Sequence, residues 1–433
     1  MQAVKKGLNY FILFIIAVTA LTGLLVLSAK IPQHAIKSNV RESAEYLCEG
    51  ELFGMLADGV QGSKIDRYAD SILLAIAYQY DDEHPLESVM RSSYYYTENQ
   101  NENENLLDAV TNEYGPNQQY LRYWHGSNVI VRPLLCFWNI QEIYVLNGIV
   151  LAVLVIVLLT MLMKNGAFVP AIGVAAGLIL TAVWYVPFSL EYTWTYLLML
   201  VLSIVGLKLA LCGRWHLLGF FFMIGGMLTN YMDFLTTETL TLLVPLLLIL
   251  WVDRHRNAET TLPHMFQNAG KAVLAWGCGY VGMWLMKWGM ASVVLRENVL
   301  PYVSEHIGER LGGDIGIGPW RYIAGAVTRN VKCLFPFEYG ITGCIGGIAL
   351  LLLAIYIGYV YHKKHICKGC ILLYALVGLV PYIRYMVLHN HSYLHFFFTY
   401  RAQMATILVI VLILEELTDW RWLMHANAGK GKP

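Results

Sequence analysis

The sequence predicts an all-α, polytopic integral membrane protein with about ten transmembrane helices, and three observations carry that reading. Hydrophobic residues make up 57% of the chain, charged residues only 14%, and the mean hydropathy is +0.51. Soluble domains carry about 25% charge. Apolar runs near the length of about 20 residues that a bilayer requires recur at 8–28, 143–163, 167–188, 193–212, 215–231, 238–252, 271–292, 340–361, 367–388 and 396–415. One long hydrophilic segment, 31–142, interrupts them directly after the first run. Lys plus Arg and Asp plus Glu both number 30, so net charge names no partner. The absence of a basic stripe argues against nucleic acid.

Taken in order, residues 1–30 form the first span. It follows Lys5 and Lys6, and its apolar part of about 20 residues is long for a signal-peptide core. Residues 31–142 form a large extracytoplasmic loop with short membrane-proximal helices. Within it, Ile72–Tyr78 is an apolar stretch suited to a short buried helix, 99–104 is a polar mobile tip, and Tyr120–Trp138 is an aromatic return to the membrane surface. Residues 143–292 hold helices 2–7. The pair around Gly219–Leu228 and Leu240–Trp251 is short, hence tilted or partly re-entrant. Residues 293–339 form a second extracytoplasmic loop, read as interfacial helices around Trp320, Arg321 and Tyr322 with a hinge at Gly312-Gly313 and Gly316. Residues 340–433 supply helices 8–10 and a cytoplasmic tail.

Ten spans place both termini on one side, and the positive-inside rule identifies the side. Lys164, Arg214, Arg254, Arg256, Lys271, Lys363, Lys364, Lys368, Lys430 and Lys432 fall in one set of loops. The segment 31–142 carries 17 acidic and 7 basic residues. Both termini are therefore expected in the cytoplasm of a cell-membrane protein, with segment 31–142 outside. Cys48 and Cys136 both fall in that segment, and their pairing stays open. Cys367-Lys368-Gly369-Cys370 lacks the second ligand pair of a structural zinc site.

Four constellations carry candidate chemistry. Asp66 and Asp70, four apart, share a helix face beside Tyr68; two such carboxylates supply a general base or hold a divalent cation. Tyr123-Trp124-His125-Gly126 combines an aromatic face for a sugar ring with a titratable donor, against a plain interfacial anchor. Asp233, in Asn230–Glu238, is either a functional acid at membrane depth or a cap of the next helix. Arg384, His391, His395 and Arg401 cluster at the last outer turn, where two arginines suit a phosphate. The alternative there is snorkelling to lipid headgroups.

The acidic first outer segment followed by many spans resembles the GT-C glycosyltransferases. Ile65-Asp66-Arg67-Tyr68-Ala69 is similar to that class's Asp-Glu-x-x-Tyr-like setting, although the neighbouring Glu is absent. Tyr68-Ala69-Asp70-Ser71, Tyr123-Trp124-His125-Gly126, Asp233-Phe234-Leu235-Thr236 and His391-Ser392-Tyr393-Leu394-His395 also look like segments of multi-pass proteins of Gram-positive bacteria. The resemblance implies an outward-facing transferase moving a sugar from a polyprenyl-phosphate donor to a cell-envelope glycan, lipid or protein. It implies Asp66 as base, Asp70 orienting it or binding a metal, Arg384, Arg401 and His395 on the donor phosphate, and Trp124 and His125 on the sugar. A divalent cation stays open as a cofactor. The rival readings are a transporter or flippase for a lipid-linked or anionic envelope precursor, and an assembly partner of an envelope complex.

Overall fold

A computed structural model describes residues 2–233, 235–257, 260–311, 316–334, 341–363 and 365–419. The Gly312-Gly313 hinge, Lys364, and the tail with Lys430 and Lys432 lie outside the described residues. The described chain is helical; the β-type pairing among these residues is three isolated bridges.

The first helix, α1 (Gln2–Ala29), leads into the hydrophilic segment. That segment holds α2 (Gln33–Cys48), α3 (Arg67–Tyr78), α4 (Pro85–Arg91), α5 (Glu102–Asn112) and α6 (Asn128–Leu134). Next come α7 (Ile140–Lys164), α8 (Phe168–Leu180), α9 (Leu190–Leu211), α10 (Leu218–Met232), α11 (Leu240–Arg256) and α12 (Leu262–Leu295). The segment 293–339 contributes α13 (Leu300–Leu311) and α14 (Pro319–Lys332). The chain then runs through α15 (Ile341–Val360), α16 (Lys368–Val387), α17 (His389–Leu394), α18 (Phe396–Thr399) and α19 (Met404–Leu417).

Five stretches are long and apolar enough to cross a membrane: Gly7–Ala29, Ile140–Lys164, Leu190–Leu211, Lys368–Val387 and Phe396–Leu417. The sequence predicted about ten. The expected span 167–188 is a 13-residue helix, α8, that ends at Thr181. Beyond it Ala182 takes a positive φ of 52°, and a 3-10 turn over Val183–Phe188 carries Pro187. A run of apolar letters therefore hides a chain break, because hydropathy does not register backbone geometry. The short pair, α10 and α11, has 15 and 17 residues.

The loop joining α10 to α11 is sunk toward the middle of the bundle. Trp276 donates from Nε1 to Thr241 at the start of α11, over 3.1 Å. Twelve residues further along α12, Trp288 donates to the Arg122 carbonyl over 3.3 Å. At 1.5 Å per residue the two levels are about 18 Å apart. Close packing of α10 on α12 makes this possible. A Cβ on Gly226 would lie 2.0 Å from the Trp276 carbonyl oxygen, and one on Gly279 would lie 2.1 Å from that of Met223. Small residues let helix backbones approach in this way.

The hydrophilic segment is a packed cap. Leu73, Leu74, Ile76, Ala77 and Tyr78 of α3 are all buried, as the apolar stretch Ile72–Tyr78 predicted. The expected mobile tip at 99–104 is instead an ordered helix start, where Asn101 and Glu104 form a reciprocal capping box at α5. The aromatic stretch Tyr120–Trp138 divides: Trp124 is fully buried, whereas Phe137 is 77% exposed. Cys48, Cys136, Cys367 and Cys370 are free thiols.

Arg132 of α6 ties the cap together. It is fully buried, and its guanidinium donates to the carbonyls of Ala77, Ile31 and Tyr80. It thereby links the end of α3 to the exit from α1. Replacing it leaves buried carbonyls without donors, each costing about 1–3 kcal/mol. Arg132→Ala should lower the thermal unfolding midpoint in detergent by several degrees; an unchanged midpoint would show that this clamp contributes nothing.

Candidate functional site

The site is built from the start of α3. Asp66 caps that helix, accepting the Ala69 N–H at 2.9 Å. This places its carboxyl at the helix N-terminus, where the backbone favours negative charge. The second carboxyl comes from Glu191, in the first turn of α9, which hydrogen-bonds the Asp66 side chain. Both are buried, at 3% and 6% exposure. Burial pushes the Asp66 carboxyl well above the usual carboxylate range, partly offset by the Ala69 and Glu191 hydrogen bonds. Two carboxyl groups in hydrogen-bond contact away from water do not both ionise, so the pair shares a proton across the range where free carboxylates are charged.

Asp70 fixes that pairing from behind. It accepts the Leu190 N–H at 2.9 Å and the Tyr144 hydroxyl at 2.5 Å, and a hydrogen bond from the Glu191 backbone. It thus joins α3 to α7 and to the first turn of α9. Burial raises its pKa to about 8, with Tyr144 opposing and the Asp66 charge adding to the rise.

Asp66 and Glu191 open into a small cavity of about 60 Å³, room for a few waters. Tyr68, Tyr120, Tyr123 and His125 line it from the segment 31–142. His391, His395 and Phe398 line it from α17, α18 and the residue between them, and Phe53 stacks on Tyr68 with ring centroids 5.9 Å apart. The two histidine rings are neighbours, at 4.9 Å between centroids. His125 reaches the cavity from a strained backbone, φ 54°. Burial, then the Lys287 charge, holds its pKa well below the ordinary histidine value. Next to it, Gly126 has no room for a side chain: a Cβ would lie 2.2 Å from the Tyr231 ring.

The predicted site residues therefore divide. Asp66, Tyr68, His125, His391 and His395 share one cavity. Asp70 stands behind its wall as a clamp. Trp124 does not face a sugar pocket; it is fully buried, donates to the Met283 carbonyl at 2.9 Å and packs on Tyr231. Asp233 organises the sunken loop. It accepts Leu235 and Thr236 N–H groups at 3.0 and 3.2 Å and the Thr195 hydroxyl at 2.6 Å. Burial, then the Glu238 charge, raises its pKa to about 6.

The two arginines are also committed elsewhere. Arg384 forms a buried two-pronged ion pair with Glu238, at 2.6 and 2.9 Å, and caps the Leu235 carbonyl at 2.6 Å. Arg401 donates to the Gly62 carbonyl at 2.7 Å and lies over the Tyr192 ring at 4.9 Å. It ties the C-terminal turn to the approach to Asp66 without reaching the cavity. Glu191 went unnoticed in the sequence because it lies in the short gap between the predicted spans 167–188 and 193–212. Its signal was available: a lone acid immediately before a predicted span. Among the described residues, no group of three or more His, Cys, Asp or Glu is placed to hold a metal ion.

Beside this cavity runs an apolar groove of about 500 Å³ between α12 and α16, and Tyr123 lines both. Comparison of the chain with protein-family models, with curated proteins and with solved structures gives no match in any of the three.

The clamp has a pH signature. An acid whose pKa rises on folding, here from 3.8 to about 8, binds more protons folded than unfolded in that window. Its burial therefore costs stability progressively as pH rises through it. Asp70→Asn removes this cost, so its unfolding midpoint relative to wild type should increase between pH 5 and pH 9. A difference independent of pH would contradict the buried, protonated clamp.

Proposed function

We propose that the chain is an outward-facing membrane glycosyltransferase, GT-C-like in layout, that transfers a sugar from a polyprenyl-phosphate donor to a cell-envelope acceptor. In this reading all ten apolar runs, including the short α8, α10 and α11, lie within the membrane. Both termini face the cytoplasm, and the Asp66 cavity opens outward. The observation that carries the reading is the Asp66–Glu191 carboxyl pair in a cavity that borders an apolar groove. A proton acceptor thus stands where a water-side hydroxyl meets a membrane-bound donor.

The carboxylate of the pair takes the proton of the acceptor hydroxyl as its oxygen bonds to the anomeric carbon. The bond from that carbon to the donor phosphate breaks, and the lipid phosphate leaves with the electron pair. The raised Asp66 pKa suits a base working near neutral pH. His391 and His395 lie across the same cavity, placed to donate hydrogen bonds to the departing phosphate. At about 60 Å³ the cavity admits a sugar once Phe53 and Tyr68 swing aside. Arg384 and Arg401, bound to Glu238 and Gly62, take no part.

Transfer from a polyprenyl-phosphate sugar in nanodiscs tests this. Asp66→Asn and Glu191→Gln should each lower the rate by roughly 100-fold or more with unchanged elution on size exclusion. Full activity of Asp66→Asn would remove it as the base. Movement of intact lipid-linked sugar without transfer, unaffected by either change, would support the flippase reading instead.

A further inference from the structure

Half-buried Arg67 and fully buried Arg132 and Arg401 direct their guanidinium groups to backbone carbonyls, and Arg384 is matched by Glu238. Arg122 differs. Its side chain donates to one hydroxyl, that of Tyr120 at 2.7 Å, and lies over the rings of Tyr120 and Tyr123 at 4.4 and 5.5 Å. Arg122 is half-buried, and its Nε, like those of Arg67, Arg132 and Arg401, has no hydrogen-bond partner. Among the described residues it has no carboxylate within ion-pair distance. A largely desolvated guanidinium without an anion is an incomplete arrangement.

Its position supplies the context. Arg122 lines the outer end of the groove between α12 and α16, next to Tyr123, which also lines the Asp66 cavity. Inward from it the groove wall is a ladder of rings on one face of α12. Trp276 stacks on Tyr280 at 4.8 Å, Tyr280 meets Trp284 edge-on at 5.0 Å, and Trp284 stacks on Trp288 at 6.0 Å. The four rings are spaced four residues apart, so the ladder rises about 18 Å, over half the hydrocarbon depth of about 30 Å. Val380, Ile383 and Val387 of α16 face it. The sunken loop closes the inner end with the already neutral Glu238–Arg384 pair.

We infer that this groove binds a single-chain lipid phosphate, with the phosphate on Arg122 and the apolar chain along the Trp276–Trp288 ladder. Charge complementarity sets the headgroup end, because the unmatched cation is at the outer rim and the inner end carries no net charge. The depth of the ladder calls for a chain, and a free phosphate would leave it empty. The inference deepens the transferase reading by placing the donor's phosphate beside the carboxyl pair.

Binding of radiolabelled farnesyl phosphate to the full-length protein in zwitterionic nanodiscs tests it without any transfer step. Wild type should bind saturably. Arg122→Gln should weaken binding roughly tenfold or more, with Arg122→Lys intermediate. Trp284→Leu, a partly exposed position, should weaken it by about threefold or more and decides the matter if the arginine variants fail to fold. Inorganic phosphate should not compete. Wild-type affinity in both Arg122→Gln and Trp284→Leu, or displacement by equimolar inorganic phosphate, would overturn the inference. A protein that binds the lipid but transfers no sugar overturns the transferase reading alone; one that transfers sugar with unchanged affinity in both variants overturns this assignment alone.

Discussion

The clamp at Asp70 is the interaction on which the site depends. One carboxyl group takes the Tyr144 hydroxyl of α7 and the first backbone N–H groups of α9, while its own helix presents Asp66 one turn earlier. The start of a membrane-embedded helix leaves N–H groups unpaired, and a buried acid on a neighbouring helix satisfies them. In doing so it fixes the angle at which α9 meets α3, and with it the approach of Glu191 to Asp66. Without the clamp the contact between the two carboxyls would rest on their shared proton alone.

Around that point the protein distributes its buried charges by a consistent rule. Groups with a structural task have fixed partners: Asp233 has the Leu235 and Thr236 N–H groups and the Thr195 hydroxyl of α9, Arg384 has Glu238, and Arg401 and Arg132 have carbonyls. Lys287, fully buried, likewise donates to the carbonyls of Val89 and Met90 at the end of α4. Against these stand the Asp66–Glu191 carboxyl pair and Arg122, the latter with no carboxylate within ion-pair distance among the described residues, an arrangement that costs free energy. The two lie on either side of Tyr123, one in a polar cavity and one at the rim of an apolar groove.

The helical class and the membrane character were legible in composition and hydropathy, because burial in lipid demands apolar helices. The number and length of the spans were not. Ala182, with its positive φ, and the sunken loop at 233–239 arise from local backbone geometry that apolar letters do not encode. The resemblance implied one site for Asp66 with Arg384, Arg401 and His395; the structure brings Asp66 to one cavity with His391 and His395, across more than 300 residues of chain, and leaves the two arginines out of it. The phosphate role read for Arg384 and Arg401 was inferred from charge type alone. Sequence could not show that Glu238 and the Gly62 carbonyl already satisfy them, nor that Arg122 is left unmatched. Trp124 misled for a similar reason: an aromatic beside a histidine suggests a sugar face, yet its indole packs on Tyr231 of α10 and donates to the Met283 carbonyl of α12.

The central claim is that Asp66 and Glu191 are held together as one proton-sharing pair. Infrared titration of the protonated carboxyl stretch in nanodiscs measures this directly. A protonated-carboxyl band should persist at pH 6 in wild type, and a component of it should disappear in both Asp66→Asn and Glu191→Gln. Loss of that component near pH 4, or its persistence in both variants, would contradict the pairing.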